Sequence, residues 1–351
     1  MINASYQRYD LIFKTPSGTS RGVLTTKETW FIVLKENQKV GVGECGLLRG
    51  LSVDDRPNYE EKLAWTCQNI QLGKDALWEA LLDFPSIQFG VETAFKSLES
   101  DDKFVLFPSD FTAEKDSILI NGLVWMSDKA SMKSQIEEKI RDGFSCIKLK
   151  IGAINFDEEL SLLAFIRQHF SEKEIEIRVD ANGAFNSNDA LYKLNQLNHY
   201  QIHSIEQPIA KNNTDTMAEL CKIAPFPIAL DEELIGVFTI DEKEKLLQKI
   251  KPQYIILKPS FIGGFRGTQE WIDIAEKLKI GWWITSALES NIGLNAIAQW
   301  TYLQHSKMPQ GLGTGALYTN NFDCPLTVKQ GSLWYEKDKG WDEIDFLERF
   351  L

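Results

Sequence analysis

The chain has 351 residues, and its 38 lysines and arginines against 50 aspartates and glutamates give a formal net charge of −12. This negative balance argues against a nucleic acid or an anionic membrane as a partner. Hydrophobic residues at 43% and charged residues at 25% are typical of a folded globular protein. The five scattered cysteines form no CxxC pair, and no apolar stretch approaches the roughly 18 residues of a membrane span. We therefore expect a cytoplasmic protein with reduced thiols.

The first hundred residues carry strand-like and helix-like patterns in separate blocks. Alternating apolar and polar residues predict an antiparallel β-meander over residues 6–13, 22–34 and 40–47. Helical patterns follow over residues 58–69, 74–82 and 86–98. Strands followed by helices, without alternation, predict an α+β domain, which we assign to residues 1–115.

From residue 117 onward, short apolar runs alternate with helical stretches. Eight strands are predicted, over residues 118–122, 145–151, 174–180, 202–206, 227–231, 253–258, 281–285 and 310–314. Seven helices fit between them, among them residues 128–141, 157–170, 187–197, 240–250, 267–278 and 291–304. This alternation predicts an α/β fold, a (β/α) barrel of the TIM type over residues 116–318. Residues 319–351 end in an aromatic segment at 346–351, and we expect them to pack on the N-terminal domain.

Charged residues end five consecutive strands of the predicted barrel. Lys150, Asp180, Glu206, Asp231 and Lys258 follow one another at steps of 30, 26, 25 and 27 residues, about the length of one βα unit. Because the carboxyl ends of barrel strands meet at one mouth, we expect these side chains to converge there. Three crowded carboxylates need a hard divalent cation to offset their repulsion. Two alternatives stay open for single motifs, namely a turn formed by residues 180–183 and a helix cap formed by the acids at 231–233.

Two lysines share one face of the second predicted barrel strand. Lys148 and Lys150 are two residues apart, so their apolar neighbours at 147, 149 and 151 occupy the opposite face. In a barrel the lysines then point inward, whereas on an edge strand they would be solvated. Burial near like charges lowers the pKa of a lysine, which is how a lysine becomes a general base near neutral pH. The four histidines fall in helices and loops or on the wrong strand face, so we expect a lysine base.

Five motifs, in this order along the chain, resemble the enolase superfamily. They are KLK at 148–150, VDANGAF at 179–185, EQPI at 206–209, ALDE at 229–232 and LKPS at 257–260. The Lys-x-Lys strand with a lysine on the sixth strand resembles the muconate-lactonizing subgroup in particular. This resemblance implies a modified (β/α)7β barrel with an N-terminal α+β capping domain. It also implies a single Mg²⁺, replaceable by Mn²⁺, bound by Asp180, Glu206 and Asp231.

Two shorter segments resemble one family of that subgroup, the o-succinylbenzoate synthases. They are GECGLLRGLS at 43–52, with Leu47 where proline is common, and SALESNIG at 286–293. The resemblance implies dehydration of 2-succinyl-6-hydroxy-2,4-cyclohexadiene-1-carboxylate, a small carboxylate substrate, to o-succinylbenzoate in menaquinone biosynthesis. We expect loop 43–52 to close over the barrel mouth, and we expect substrate contacts at Arg49, Asn182, Ser286 and Gly313.

The same resemblance assigns a role to each lysine and leaves alternatives open. Lys150 takes the proton next to the substrate carboxylate and helps hydroxide to leave, Lys258 stabilises the ring as a cation, and Lys148 tunes Lys150. Two lysines on opposite faces of a substrate also suit a dipeptide epimerase or an N-acylamino-acid racemase. Dipeptide epimerases typically carry Asp-x-Asp on the eighth strand, whereas residues 311–315 read GLGTG. A non-catalytic protein with this fold is a third interpretation, and the sequence leaves a homo-oligomer open.

Overall fold

The structure is a computed structural model that describes residues 1–19 and 22–341. Within these residues the N-terminal part forms an antiparallel sheet and then three α-helices, namely β1 (Asn3–Thr19), β2 (Gly22–Glu36), β3 (Lys39–Cys45), α1 (Tyr59–Gln68), α2 (Gly73–Ala80) and α3 (Pro85–Glu99). Strands β1 and β2 pair from Asn3 opposite Lys35 onward, with one irregularity of register between Ile12 and Ser17. This order agrees with the predicted meander and the helices after it.

The N-terminal sheet is buried on both faces. Trp30 and Ile32 of β2 lie in an apolar cluster with the three N-terminal helices. Phe31 and Val33 lie in another cluster with Ile292 from the C-terminal part. Successive residues of a strand point to opposite faces, so the continuous apolar run of β2 suits a strand that is covered on both sides. The sheet therefore packs between its own helices and the C-terminal part, which helices α2 and α3 also contact directly through Trp78 and Glu92.

The described residues hold ten further strands, which are β4 (Ile118–Leu119), β5 (Gly122–Val124), β6 (Cys146–Lys150), β7 (Glu176–Asp180), β8 (Ser204–Glu206), β9 (Ile228–Leu230), β10 (Tyr254–Leu257), β11 (Gly281–Ile284), β12 (Leu326–Lys329) and β13 (Ser332–Tyr335). Strands β5 to β11 form one parallel sheet in which each strand pairs with its neighbours in chain order. Ile147 and Val179 belong to its main apolar core. The opposite strand face, with Lys148 and Asp180, is left for the barrel interior.

Helices alternate with these strands and cover the outside of the sheet. They are α4 (Lys129–Arg141), α5 (Phe156–His169), α6 (Ala190–Asn198), α7 (Thr214–Ile223), α8 (Ile240–Ile250), α9 (Pro259–Ile262), α10 (Gly264–Leu278) and α11 (Asn291–Leu303). Helix α8 shows how local sequence sets a boundary, because Thr239 and Glu242 form a reciprocal capping box at its start. The alternation confirms the predicted barrel.

The barrel closes through residues 310–311 rather than through a full eighth strand. Gln310 bridges Ile120 at one edge of the sheet, and Gly311 bridges Thr285 at the other edge. The predicted first strand, residues 118–122, is divided in the structure. Its first two residues form β4, which pairs with β13, and the chain enters the barrel sheet only at Gly122.

The C-terminal segment contacts both parts of the molecule. The backbone amide of Thr319 donates to the carbonyl oxygen of Ile12 in β1 at 2.8 Å, whereas the β12–β13 hairpin pairs with β4 beside the barrel. Trp341 stacks on Phe104 with ring centroids 4.0 Å apart. The assignment of residues 1–115 and 319–351 to one domain and of residues 116–318 to the barrel therefore stays a prediction. The aromatic segment 346–351 lies outside the described residues.

Across residues 1–19 and 22–341, no helix has the length and hydropathy to cross a membrane.

Candidate active site

Five charged residues lie together at the carboxyl-terminal ends of strands β6 to β10. Lys150 is in register with Asp180, and Asp180 is in register with Glu206, across β6, β7 and β8. Asp231 comes directly after β9, and Lys258 comes directly after β10. The side chains of the three acids are only 1–2% exposed. The expected convergence at the barrel mouth is therefore present in the structure.

The two lysines of β6 bind carboxylates from one side of the mouth. Lys148 Nζ donates to Glu206 Oε2 at 2.5 Å and lies 2.9 Å from Asp180 Oδ2. Lys150 Nζ donates to Asp180 Oδ2 at 2.9 Å and to Asn182 Oδ1 at 2.7 Å. Both ammonium groups therefore share the carboxylate of Asp180.

Lys258 approaches the mouth from the other side. Its Nζ donates to Asp231 Oδ2. Strands β6 and β10 are separated by β7, β8 and β9, which in a barrel of about eight strands places Lys150 and Lys258 on opposite walls. The mouth thus has lysines on two walls and carboxylates between them.

Burial and lysine charges compete to set the pKa values of the three acids. Burial tends to raise the pKa of Asp180, but Lys148 and Lys150 outweigh this effect and hold it below its ordinary value. Burial, and after it the charge of Asp180, raises the pKa of Glu206 to about 8. Burial also raises the pKa of Asp231, although Lys258 opposes this shift. Burial and the charge of Asp180 thus both disfavour the ionised form of Glu206, which is expected of a group that a cation would stabilise.

The pKa values of two lysines, Lys148 and Lys258, shift in the opposite direction from the sequence-based expectation. Burial tends to lower the pKa of Lys148, but the carboxylates of Asp180 and Glu206 outweigh it and raise the pKa. The pKa of Lys258 is also raised, because Asp231 outweighs burial. For both residues the attraction of nearby carboxylates outweighs burial, which explains the difference.

The carboxylates of the mouth have the donor chemistry of a metal site but are not arranged as a preformed one. Among the described residues, no three His, Cys, Asp or Glu side chains have the close spacing of a preformed metal centre, and Lys148 and Lys258 bind the carboxylates of the mouth. Glu206 Oε1 is nevertheless buried without a hydrogen-bond partner. An oxygen of this kind, on a carboxylate in register with Asp180, fits the ligand chemistry of a hard divalent ion.

A cavity of about 240 Å³ lies above these charges, between the barrel mouth and the N-terminal part. Lys148, Lys150, Asp180 and Lys258 line its floor. Its apolar walls come from both parts of the chain and include Leu24, Leu51, Leu123, Trp125, Trp283 and Leu288. The loop at 43–52 contributes to this wall, in agreement with its expected position over the mouth.

The four expected substrate contacts all line this cavity, but their side chains are engaged to different degrees. Arg49 donates to Glu28 Oε2 at 2.6 Å and to Asp55 Oδ1 at 2.7 Å. Ser286 Oγ is 2.6 Å from Thr314 Oγ1. Both ends of the Asn182 amide are hydrogen-bonded within the protein. The fourth residue, Gly313, adds only backbone.

Several cavity residues were missed from the sequence. Trp125 directly follows β5, and it was overlooked because the first barrel strand was predicted to end at residue 122. Trp283 has the inward parity of Thr285 on its strand, so the period-2 pattern could have identified it. Leu24 carries no local signal, because its position depends on packing between the two parts of the chain.

Comparison with protein families covers both parts of the chain. Residues 131–341 match the family described as "Enolase C-terminal domain-like", and residues 1–98 match the family described as "MenC, N-terminal domain". The o-succinylbenzoate synthase of Desulfotalea psychrophila is 46% identical, over 95% of this chain and 98% of that protein. The chain belongs to the o-succinylbenzoate synthase family of the enolase superfamily. This membership confirms the resemblance predicted from the motifs.

Solved structures agree with this membership. The crystal structure of MenC from Desulfotalea psychrophila matches with a TM-score of 0.84 at 42% identity, covering 95% of this chain and 99% of that chain. A dipeptide epimerase from Enterococcus faecalis, complexed with Mg and the dipeptide L-Leu-L-Tyr, matches with a TM-score of 0.82 at 18% identity, covering 95% and 97%. The epimerase shares the fold alone, so the o-succinylbenzoate synthase is the nearer of these two relatives.

Proposed function

We propose that this protein is a lyase that dehydrates 2-succinyl-6-hydroxy-2,4-cyclohexadiene-1-carboxylate to o-succinylbenzoate, a step of menaquinone biosynthesis. The observation that carries this proposal is the pair of lysines on opposite walls of a mouth that holds three buried carboxylates. Similarity over nearly the full length to the Desulfotalea psychrophila synthase supports this activity among those of the superfamily. The five cysteines are free thiols, which supports a reducing compartment such as the cytoplasm.

Asp180, Glu206 and Asp231 are the residues that we assign to a Mg²⁺ ion, for which Mn²⁺ can substitute. Their oxygens suit a hard cation, and the unpartnered Glu206 Oε1 is available as a ligand atom. When bound, the ion supplies positive charge that stabilises the enediolate form of the substrate. Lys148 holds Asp180 and Glu206 in place from below through its hydrogen bonds.

Lys150 is the proposed base. It removes the proton from the ring carbon next to the carboxylate, and the electron pair of that C–H bond moves into the carboxylate to give an enediolate. The enediolate then collapses, the C–O bond on the adjacent carbon breaks, and the ring becomes aromatic. Lys150 passes its proton to the departing hydroxide, so that water leaves. Lys258 on the opposite wall contributes positive charge toward the ring.

The cavity walls support this assignment of substrate. Apolar side chains such as Trp125 and Leu51 suit the ring and exclude water from it. We place the succinyl group near Ser286 and Gly313, on the wall formed by the end of β11 and the closing segment. Arg49 must exchange one of its present carboxylate partners before it can bind a substrate carboxylate.

A racemase or epimerase is the second candidate, because two lysines on opposite walls suit proton transfer from one face of a carbon to the other. An N-acylamino-acid substrate has no free ammonium group, so it needs no acid on the cavity wall. A dipeptide is less compatible, since the segment Gly311, Leu312, Gly313, Thr314 and Gly315 offers no acid to bind a free ammonium group.

The lyase proposal is tested by the absorbance of the aromatic product with purified protein and the cyclohexadiene acid. We expect turnover by the wild type and a loss of about 10²- to 10⁴-fold in Lys150→Ala, because that variant lacks the general base. Lys193→Ala is the matched control, since Lys193 of helix α6 pairs with Asp189 at 3.1 Å and does not line the cavity. Unchanged turnover in Lys150→Ala would rule out this role.

The metal assignment has its own test. We expect chelator to abolish turnover, and added Mg²⁺ or Mn²⁺ to restore it. In calorimetric titrations with Mg²⁺, Glu206→Gln should bind the ion more weakly than the wild type. Glu176→Gln is the control, because Glu176 lies deeper on the interior side of β7 and pairs with Arg178 at 2.7 Å. Full turnover in excess chelator would contradict the assignment.

A further inference from the structure

The side-chain amide of Asn182 is held from both sides. Asn182 lies two residues beyond the end of β7 and has a φ of +45°, a left-handed backbone conformation that asparagine tolerates better than most residues. Its Oδ1 accepts a hydrogen bond from Lys150 Nζ at 2.7 Å, and its Nδ2 donates to Glu232 Oε1 at 3.0 Å. Its backbone amide also donates to Asp180 Oδ1 at 3.0 Å.

This arrangement fixes which end of the amide faces the lysine. A carboxylate only accepts hydrogen bonds, so Glu232 selects the NH₂ end of Asn182. The carbonyl end must then face Lys150, whose ammonium group only donates. Glu232 is 5% exposed and directly follows Asp231 in the turn after β9. The turn that carries a proposed metal ligand therefore also orients a partner of the proposed base.

The hydrogen bonds of Lys150 leave one direction of its nitrogen for the substrate. An ammonium group has three N–H bonds. One is directed to Asp180 Oδ2 and one to Asn182 Oδ1, and the lysine lines the cavity. With two directions fixed, the third position is the one from which the neutral amine can accept a substrate proton. Loss of the Asn182 acceptor would let the nitrogen rotate away from this geometry.

We propose that Glu232 is a positioning residue that acts on Lys150 through the amide of Asn182. This inference rests on the proposed function, in which Lys150 handles the substrate proton. It also changes the role of Asn182, because an amide bonded at both ends holds the base rather than contacting the substrate. Residues that orient a functional group through a hydrogen bond typically change activity by about 10- to 100-fold when they are removed.

The experiment is a double-mutant cycle on the dehydration rate. Glu232→Met removes the acceptor for Asn182, and kcat should fall by about tenfold while KM stays within about twofold. Glu232→Gln keeps an oxygen acceptor and should retain most of the wild-type kcat. Asn182→Ala should lose as much as Glu232→Met, and the double variant should lose little more, because the two residues act as one unit.

The control is Glu92→Met, which removes a carboxylate that accepts hydrogen bonds from the backbone amides of Phe265 and Arg266. Its effect should combine additively with that of Asn182→Ala. Thermal unfolding of each variant separates loss of fold from loss of rate. Additive effects of the Glu232 and Asn182 changes, or equal losses in Glu232→Met and Glu232→Gln, would overturn the proposal.

Failure of the proposed function gives a different result. In that case wild-type protein does not dehydrate the cyclohexadiene acid. The double-mutant cycle of Glu232 and Asn182 is then measured by the rate of deuterium exchange into N-succinyl amino acids in deuterated water. Lys150 handles a proton in that reaction too, so the Glu232 and Asn182 changes should again be non-additive. Additivity in the exchange assay would overturn the positioning role independently of the substrate.

Discussion

The carboxylate of Glu44, at the end of the N-terminal sheet, binds Ser290 at the start of helix α11 in the barrel. Glu44 Oε1 accepts from the Ser290 backbone amide at 2.9 Å, and Glu44 Oε2 accepts from the Ser290 hydroxyl at 2.5 Å. Thr29 and Gly293 also donate to this carboxylate, which is fully buried. Because Ala287 in the same loop lines the cavity, this contact links the capping part to the cavity wall.

Replacement of Glu44 by leucine should therefore affect stability and substrate binding together. The change leaves the donors of Ser290 and Gly293 buried without their acceptor, and we expect a loss of about 3 kcal/mol in the free energy of unfolding. The KM for the cyclohexadiene acid should rise, since the wall at Ala287 is no longer anchored. Chemical denaturation and steady-state kinetics measure the two effects.

Glu36→Leu is the control for this change, because Glu36 lies on the same sheet and its side chain is 44% exposed. We expect its free energy of unfolding to stay within about 0.5 kcal/mol of the wild type. If both substitutions cost the same, the buried contact between Glu44 and Ser290 has no special role in stability.

Neighbouring residues Asp54 and Asp55 should respond to pH in opposite ways. Burial raises the pKa of Asp54 from 3.8 to about 6, although Ser86 donates two hydrogen bonds to it. The folded chain thus holds this proton more tightly than the unfolded chain, so the free energy of unfolding falls as pH rises from about 4 to about 6. Asp54→Asn should remove this dependence, which denaturation measured at several pH values across that window detects.

Asp55 provides the comparison. Burial tends to raise its pKa, but the backbone amide of Gly50 and the guanidinium of Arg49 hold it below its ordinary value. Its contribution to stability is present above the unfolded pKa and is lost as pH falls through the lower folded pKa. Asp55→Asn should thus cost most at neutral pH and least in acid. The same pH trend in both variants would contradict the opposite environments of the two carboxyls.

The charged floor of the site was predictable because it follows from local rules. Lys148 and Lys150 share a strand face at a period of two, and the strand ends set the positions of Asp180, Glu206 and Asp231. Parallel strands align their carboxyl ends, so the spacing along the chain was sufficient to predict this convergence. The order of the barrel strands followed from the same alternation.

Other features depend on contacts that leave no local pattern. Ser290 is 246 residues from Glu44 along the chain, and nothing near either residue predicts their pairing. The run at 118–122 has the composition of one strand, yet β4 pairs with β13 and the barrel begins at Gly122. This shift brings Trp125 to the mouth, and only the tertiary pairing determines it.

Gly313 should control the charge of substrates that the cavity accepts. A Cβ atom at this position would lie 3.5 Å from Ile120 Cδ1 and 3.8 Å from the carbonyl oxygen of Asn121, which are ordinary contacts. The Cβ atom of Gly313→Asp should thus fit, whereas its carboxylate should repel the substrate carboxylates, and we expect KM for the cyclohexadiene acid to rise by about tenfold or more. Steady-state kinetics with this substrate provides the measurement.

Gly313→Ala separates size from charge at the same position. The methyl group makes only van der Waals contacts, so KM should stay close to the wild-type value. Equal increases of KM in the alanine and aspartate variants would show that space, rather than charge, limits substrates at this wall.

Lys258 should distinguish the lyase from the racemase. In a dehydration with one base, Lys150 alone moves protons and Lys258 contributes charge, so Lys258→Ala should lower kcat by about 10²-fold while exchange through Lys150 persists. A racemase needs both lysines, because each exchanges the proton of one stereoisomer.

Wild type, Lys150→Ala and Lys258→Ala are therefore assayed with the cyclohexadiene acid by absorbance. The same three proteins are assayed with each enantiomer of N-succinyl amino acids in deuterated water by NMR. We expect fast dehydration by the wild type. We expect Lys258→Ala to incorporate deuterium into the N-succinyl amino acids without inverting their configuration. Rapid inversion with negligible dehydration by the wild type would instead establish the two-base reaction.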